Sequence, residues 1–242
     1  MPPDQMPSKV MVFAAGLGTR MRPLTLTTPK PMIRVAGKPL MDHMLDRFAA
    51  DGVAEAVVNV HYLADQIAAH LASRTEPKIA ISDERDKLLD QGGGIRKALP
   101  LLGDAPFFIC NTDAFWIEGP RSNLARLAEA WDPSAMDILL LVAGTTTSVG
   151  VDWTGDFDLA PDGRLSKRKE REVAAFAYTG VGILKPMLFA GDQPEVFRLA
   201  PLFFRAAEAG RLFGVRLDGL WMHVGTPEAV AEAESAVERS VR

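Results

Sequence analysis

One cysteine, Cys110, is the only thiol in the chain, which excludes an intramolecular disulfide and a zinc site built on cysteine. Its place in the apolar run Phe107–Cys110 suits a small core residue. No apolar run approaches the length of a membrane span. The opening residues, M-P-P-D-Q-M-P-S-K, lack the apolar segment of a secretory leader, so a soluble cytoplasmic protein with no membrane partner is expected. No internal repeat is present, which sets aside solenoid and β-helix architectures. Excess basic charge is missing too. The 27 Lys and Arg against 31 Asp and Glu give a net charge of -4, which argues against nucleic acid as a partner. What remains is ordinary: 242 residues, 48% hydrophobic and 24% charged, enough for one α/β domain or two small ones.

One local absence is more informative. Between Gln5 and Met41 there is no Asp or Glu, while Lys9, Arg20, Arg22, Lys30, Arg34 and Lys38 all fall there. A cationic stretch in an acidic chain points to an anionic ligand. Within it the apolar run Val10–Ala15 reads as a buried strand. It breaks into Gly16, Gly18 and Thr19, and glycines let a backbone approach a ligand with its N–H groups turned toward it. A dinucleotide fingerprint is absent, because Met21 stands at the third glycine position of G-x-G-x-x-G, and a Walker loop is absent as well. A plain strand-to-helix turn with solvated charges is the alternative.

Further on, strand and helix patterns alternate. Helices are expected at Pro39–Asp51, Leu63–Ala72, Ile95–Leu101, Asn123–Trp131, Leu199–Gly210 and Pro227–Glu238. Strands are expected at Ala56–Val60, Lys78–Ile81, Pro106–Asn111, Asp137–Val142, Ala175–Leu184 and Leu212–Leu217. Residues 1–8 are expected to form a loose tail, Ser82–Gln91 a loop, and Gly92-Gly93-Gly94 the entry to a helix. Thr145–Lys169, rich in Thr, Gly and Asp, suits a small hairpin lobe. The alternation implies right-handed crossovers and a mostly parallel sheet, in which ligands bind beyond the carboxyl ends of the strands. Gly16, Ser82 and Asp113 all follow strand ends, so three distant motifs are expected on one rim.

The stretch A-A-G-L-G-T-R-M-R-P, followed by P-K-P, resembles the signature of the sugar-1-phosphate nucleotidyltransferases. I-C-N-T-D resembles the family's N-G-D at a strand end, and W-M-H-V-G-T-P-E resembles its W-x-D-V-G-T-P-E. The resemblance runs from Val10 to about Glu228. It implies an α/β fold, Rossmann-like and of the glycosyltransferase-A type, with a mostly parallel sheet, helices on both faces, one domain over residues 9–242 and a sugar-side lobe within 143–176. Nothing in the sequence resembles the hexapeptide β-helix that some family members carry, so a second acyl-transfer domain is not expected. The implied reaction joins a nucleoside triphosphate and a sugar 1-phosphate into a nucleotide-sugar and releases pyrophosphate. Two polyanions then meet, and catalysis rests on in-line positioning, cations and a divalent metal.

By the same resemblance Ala14, Ala15, Gly16, Gly18 and Thr19 form the nucleotide loop. Arg20 holds the β- and γ-phosphates and Lys30 the α-phosphate. Asp113 binds the metal, Mg²⁺ or alternatively Mn²⁺. Glu84 with Gly92 and Gly93 reads the base, and Asn111 and Gly180 face the sugar. Lys167-Arg168-Lys169 either meets the sugar phosphate or is a solvated hairpin edge. One departure stands out: His223 replaces the family's second metal-binding aspartate, and imidazole is a poorer Mg²⁺ ligand than carboxylate. The short length and G-G-G-I-R-K-A-L-P-L-L-G are most similar to family members that join UTP to N-acetylmuramate 1-phosphate in cell-wall recycling. Guanylyl or thymidylyl/uridylyl transfer to mannose- or glucose-type phosphates is the alternative, and a catalytically silent nucleotide-sugar sensor a second one. Oligomeric state is not legible.

Overall fold

The computed structural model of the protein describes residues 6–240. In chain order the strands and helices are β1 (Lys9–Phe13), β2 (Arg34–Val35), β3 (Lys38–Pro39), α1 (Leu40–Ala50), β4 (Glu55–Val60), α2 (Ala64–Leu71), β5 (Lys78–Asp83) and α3 (Asp90–Leu102). There follow β6 (Phe107–Asn111), β7 (Ala114–Glu118), α4 (Asn123–Ala130), β8 (Ile138–Gly144), β9 (Phe157–Leu159), β10 (Leu165–Lys167) and β11 (Phe176–Leu184). The last are α5 (Ala200–Glu208), β12 (Leu212–Arg216), β13 (Gly219–His223) and α6 (Pro227–Ser240).

The central sheet runs β12-β8-β11-β6-β1-β4-β5, and of these seven strands only β11 runs against the rest. β1 is buried on both faces, which is why it reads as a continuous apolar run rather than an alternation. Val10 and Val12 pack with Leu45 and Phe48 of α1 on one side. Met11 packs with Ile95 and Ala98 of α3 on the other. After β1 the chain builds outward through β4 and β5, then returns to place β6 on β1's opposite edge. That reversal opens a crevice beyond the carboxyl ends of β1 and β6.

Several expectations need correction. The helix entered at Gly92–Gly94 begins earlier, at Asp90, so the glycines lie inside its first turns. The N–H groups of Gly92 and Gly93 both donate to the Phe197 carbonyl, at 2.9 and 3.3 Å. A Cβ on Gly92 would lie 2.4 Å from the Phe197 ring, and one on Gly93 2.3 Å from the Glu195 carbonyl oxygen. The expected loop at Ser82 is still strand, because Ser82 pairs with Asn59 of β4. Of the expected loose tail, residues 1–5 lie outside the described residues. Met6 packs against the core, and the Ser8 carbonyl accepts the N–H groups of Ala54 and Glu55 at 2.9 and 3.1 Å.

The β9–β10 hairpin joins the main sheet where Phe157 pairs with Phe176, and its Phe157 and Leu165 enter the same core as Leu140 and Leu212. A separate antiparallel ribbon, β7 with β13, sets Trp116 opposite Trp221 and His223 opposite Ala114. Among the described residues no helix is long and apolar enough to cross a membrane.

Candidate active site

The crevice holds a cavity of about 460 Å³ walled by the loop after β1, the ends of β4 and β6, and the start of α3. The loop is fixed from outside itself. Asn59, at the end of β4, accepts the Ala14 N–H at 2.8 Å, and Thr112 Oγ1 donates to the Phe13 carbonyl at 2.7 Å. Gly18 adopts φ +62°, and a Cβ there would lie 2.9 Å from Thr25 Cγ2 and 3.2 Å from Lys30 Cβ. Gly16 differs: a Cβ would meet nothing within 4 Å, since it would project into open space. Thr19 and Arg20 enter a short 3-10 turn anchored by the fully buried Met21. Ala14, Ala15, Gly16, Gly18, Thr19 and Arg20 all line the cavity.

Lys30 sits between two prolines in a further 3-10 turn, where the Met32 N–H donates to the Pro29 carbonyl at 2.8 Å. Proline limits the backbone freedom the turn must lose. The Lys30 side chain, 14% exposed, donates to Asp113 Oδ2 at 2.9 Å. Asp113 follows β6, and its carbonyl accepts the Val224 N–H at 2.7 Å, which locks the end of the ribbon beside it. His223 Nε2 therefore lies 3.7 Å from the same Asp113 Oδ2. Burial pushes the Asp113 carboxyl up, but Lys30 and His223 together outweigh it and hold it far below the ordinary carboxylate range.

The imidazole is held on all sides. Its Nδ1 faces the Gly150 carbonyl at 3.3 Å, and since a carbonyl only accepts, Nδ1 carries a proton. Nε2 is then the atom turned to Asp113. The ring stacks on Trp221 with centroids 6.0 Å apart and meets the edge of Trp153 at 5.2 Å. Gly225 leaves room for it, because a Cβ there would lie 2.5 Å from His223 Cε1.

For a divalent ion the donor set is sparse. Among the described residues no group of three or more His, Cys, Asp or Glu converges. Asp113 nonetheless keeps a second carboxylate oxygen, since both Lys30 and His223 address Oδ2. One carboxylate with substrate phosphates and water is the environment Mg²⁺ usually takes, so the residues fit an ion shared with a ligand rather than caged by the protein.

Glu84 is fully buried at the cavity wall. Its Oε1 accepts from Asn59 Nδ2 at 2.7 Å and its Oε2 from the Leu89 N–H at 3.2 Å. Burial raises its pKa, and those two hydrogen bonds only partly offset that. Gly92 and Gly93 do not line the cavity, and their N–H groups are committed to Phe197. Asn111 lines it and accepts from Gln91 Nε2 at 2.9 Å. Gly180, at φ +89°, backs Asn111, whose Cβ a side chain there would meet at 2.6 Å.

The sequence reading missed Asn59, Leu88 and Val196. Asn59 alone left a signal, as the one polar residue in the apolar run A-V-V-N-V. A second cavity of about 290 Å³ adjoins the first through Arg20 and runs along His223, Gly225 and Thr226.

Comparison with known proteins decides the family. The model of the family described as nucleotidyl transferase matches residues 9–148. This chain belongs to the nucleotidyl transferase family. The N-acetylmuramate alpha-1-phosphate uridylyltransferase of Caulobacter vibrioides is 50% identical to this nucleotidyl transferase over 236 residues, covering 96% of this chain and 98% of that protein. The protein of the same description from Neisseria meningitidis serogroup B is 37% identical over 94% of this chain and 97% of its own length. The fold is shared with UDP-glucose pyrophosphorylase in complex with UDP-glucose, at TM-score 0.75, 18% identity and coverage of 96% and 98%. HddC from Yersinia pseudotuberculosis superposes at TM-score 0.74 with 21% identity and coverage of 95% and 99%. The mixed sheet with helices on both faces is thus a fold shared with these structures, and this chain is a nucleotidyl transferase.

Proposed function

We propose that the protein joins UTP to N-acetylmuramate 1-phosphate, a sugar-phosphate oxygen attacking the α-phosphorus of UTP as pyrophosphate leaves. The observation that carries this reading is the 50% identity to the Caulobacter uridylyltransferase across almost the full length of both chains. In this reading the turn at Gly16–Thr19 takes the triphosphate on its backbone, and Arg20 forks onto the β- and γ-phosphates. Lys30 neutralises the α-phosphate as charge builds there, and loss of such a group costs about 10²–10³ in turnover. Asp113 and His223 would hold the divalent ion, Mg²⁺ or Mn²⁺, which when bound would supply positive charge against the phosphates. Glu84, with Asn59, sets the wall against which the base lies, and Asn111 backed by Gly180 faces the sugar.

Pyrophosphate release from a panel of nucleoside triphosphates and sugar 1-phosphates, with Mg²⁺ or Mn²⁺, tests the reading. UTP with N-acetylmuramate 1-phosphate is expected to give the highest kcat/KM. A higher value for GTP with mannose 1-phosphate, or for a glucose 1-phosphate pair, would replace it. Binding without release for every pair would make the chain a sensor.

A further inference from the structure

We propose that Gln91 is a positioning residue: it holds the Asn111 amide in one orientation, so that a hydrogen-bond donor rather than an acceptor faces the crevice. That the ligand met there is a sugar rests on the reading above. The carbonyl and amino groups of an asparagine exchange places when the amide turns over, so a free one offers either polarity. Both residues are half-buried and both line the cavity. Gln91 Nε2 donates to Asn111 Oδ1 at 2.9 Å, which commits the carbonyl. Among the described residues nothing accepts from Asn111 Nδ2, whose N–H bonds are left for a ligand.

Both ends of this contact are built to stay put. Asn111 closes β6, where it pairs with Phe13 of β1. Behind it Gly180 has no side chain, and a Cβ there would lie 2.9 Å from Asn111 Cγ and 3.0 Å from Nδ2. Gln91 is the second residue of α3. The residue before it, Asp90, adopts φ +59°, a left-handed conformation that few residues other than glycine, asparagine and aspartate take. Asp90 Oδ1 accepts the Gln91 N–H at 2.8 Å, a local bond that offsets part of that strain. The next N–H, of Gly92, donates to the Phe197 carbonyl at 2.9 Å. The backbone at Gln91 is thus tied on both sides, while its side chain reaches Asn111, 20 residues along the chain.

Polarity decides what such an amide reads. A hydroxyl both donates and accepts and can meet either orientation, but a carbonyl oxygen only accepts. A fixed donor therefore favours a sugar with an acceptor-only oxygen at that place, such as the carbonyl of an acetamido group. Because the orientation is set before the ligand arrives, no rotamer freedom of Asn111 is lost on binding.

The test is a double-mutant cycle on the full chain, read as kcat/KM with UTP and N-acetylmuramate 1-phosphate, or with whichever pair of the panel above is turned over best. Asn111→Ala should lower it about tenfold, the scale of one hydrogen bond. Gln91→Met, which frees the amide, should lower it about threefold. Gln91→Glu, whose carboxylate only accepts and so draws Nδ2 away from the ligand, should lower it at least about tenfold. The losses should fall on KM for the sugar phosphate and leave KM for UTP unmoved. In the Asn111→Ala background both Gln91 substitutions should change nothing beyond about twofold, because Gln91 then has no amide to orient. Losses that persist in that background mean that Gln91 meets the ligand itself, repels it by charge or supports α3, and overturn the proposal. So does full activity of Gln91→Glu, which would turn the amide the other way, or a loss that falls on KM for UTP. Because the cycle follows the best pair, failure with N-acetylmuramate 1-phosphate overturns the substrate reading and leaves Gln91 standing.

Discussion

Lys30 and His223 converge on one oxygen of Asp113, Oδ2, at 2.9 and 3.7 Å. The carboxylate proposed for the metal is thus already neutralised by the ammonium proposed for the α-phosphate. A triphosphate that draws Lys30 away frees the carboxylate for the ion, so nucleotide and metal favour each other's binding by equal factors. Lys30→Met should bind Mn²⁺ without nucleotide at least about tenfold more tightly than the unaltered protein, by paramagnetic resonance titration, one unit charge at this distance being ample for that factor. Turnover of the same variant should fall about 10²–10³-fold. Unchanged Mn²⁺ affinity would show that Lys30 does not restrain Asp113.

Gly16 and Gly18 should separate cleanly. A Cβ on Gly16 meets no protein atom within 4 Å, so Gly16→Ala should melt with the unaltered protein yet bind UTP weakly, its methyl standing where the ligand approaches. Gly18→Ala should lose about 1–3 kcal/mol of stability, from its positive φ and from contact with Thr25. Differential scanning calorimetry beside UTP titration distinguishes the two; normal UTP affinity in Gly16→Ala would remove that loop from the nucleotide site.

Glu84 and Asp113 should bend the stability–pH curve in opposite senses. Glu84 has its pKa raised by burial, so its contribution is full below the ordinary glutamate value of about 4.3 and is lost as pH rises through the folded value. Asp113 is held low, so its contribution is present above about 3.9 and is lost as pH falls toward its folded value. Melting temperatures of Glu84→Gln and the unaltered protein, measured from pH 4 to pH 7, should diverge in the variant's favour toward pH 7. Parallel curves would mean that Glu84 is not desolvated.

The imidazole at position 223 should set metal choice. His223→Asp restores a second carboxylate, and hard oxygen ligands suit Mg²⁺ while imidazole favours later divalent ions. The ratio of kcat/KM with Mg²⁺ to that with Mn²⁺ should rise by about tenfold in the variant, roughly 1.4 kcal/mol of altered preference. A ratio that stays put would remove His223 from the ion's surroundings.

Much of this was legible locally. The apolar run of β1, its glycines and the P-K-P turn are contiguous, and each carries its own conformational signal. Asp113 could be placed because β6 ends just before it. What could not be read is what depends on partners far along the chain. Gly92 and Gly93 read as a helix entry, but the Phe197 carbonyl, about a hundred residues on, takes their N–H groups and draws them into α3. The ribbon of β7 and β13 joins segments equally far apart, and nothing in A-F-W-I-E alone announces its partner. Glu84 reads as a polar residue free to meet a ligand, because its burial follows from Asn59 and Leu89 closing over both oxygens.

Trp153 and Trp221 flank His223 within 5.2 and 6.0 Å, so the protein carries its own optical gauge. A paramagnetic ion seated beside that imidazole will quench indole emission, whereas Mg²⁺, being silent, will not. Filling of the centre can therefore be followed in unlabelled material, turnover by turnover, with a fluorimeter.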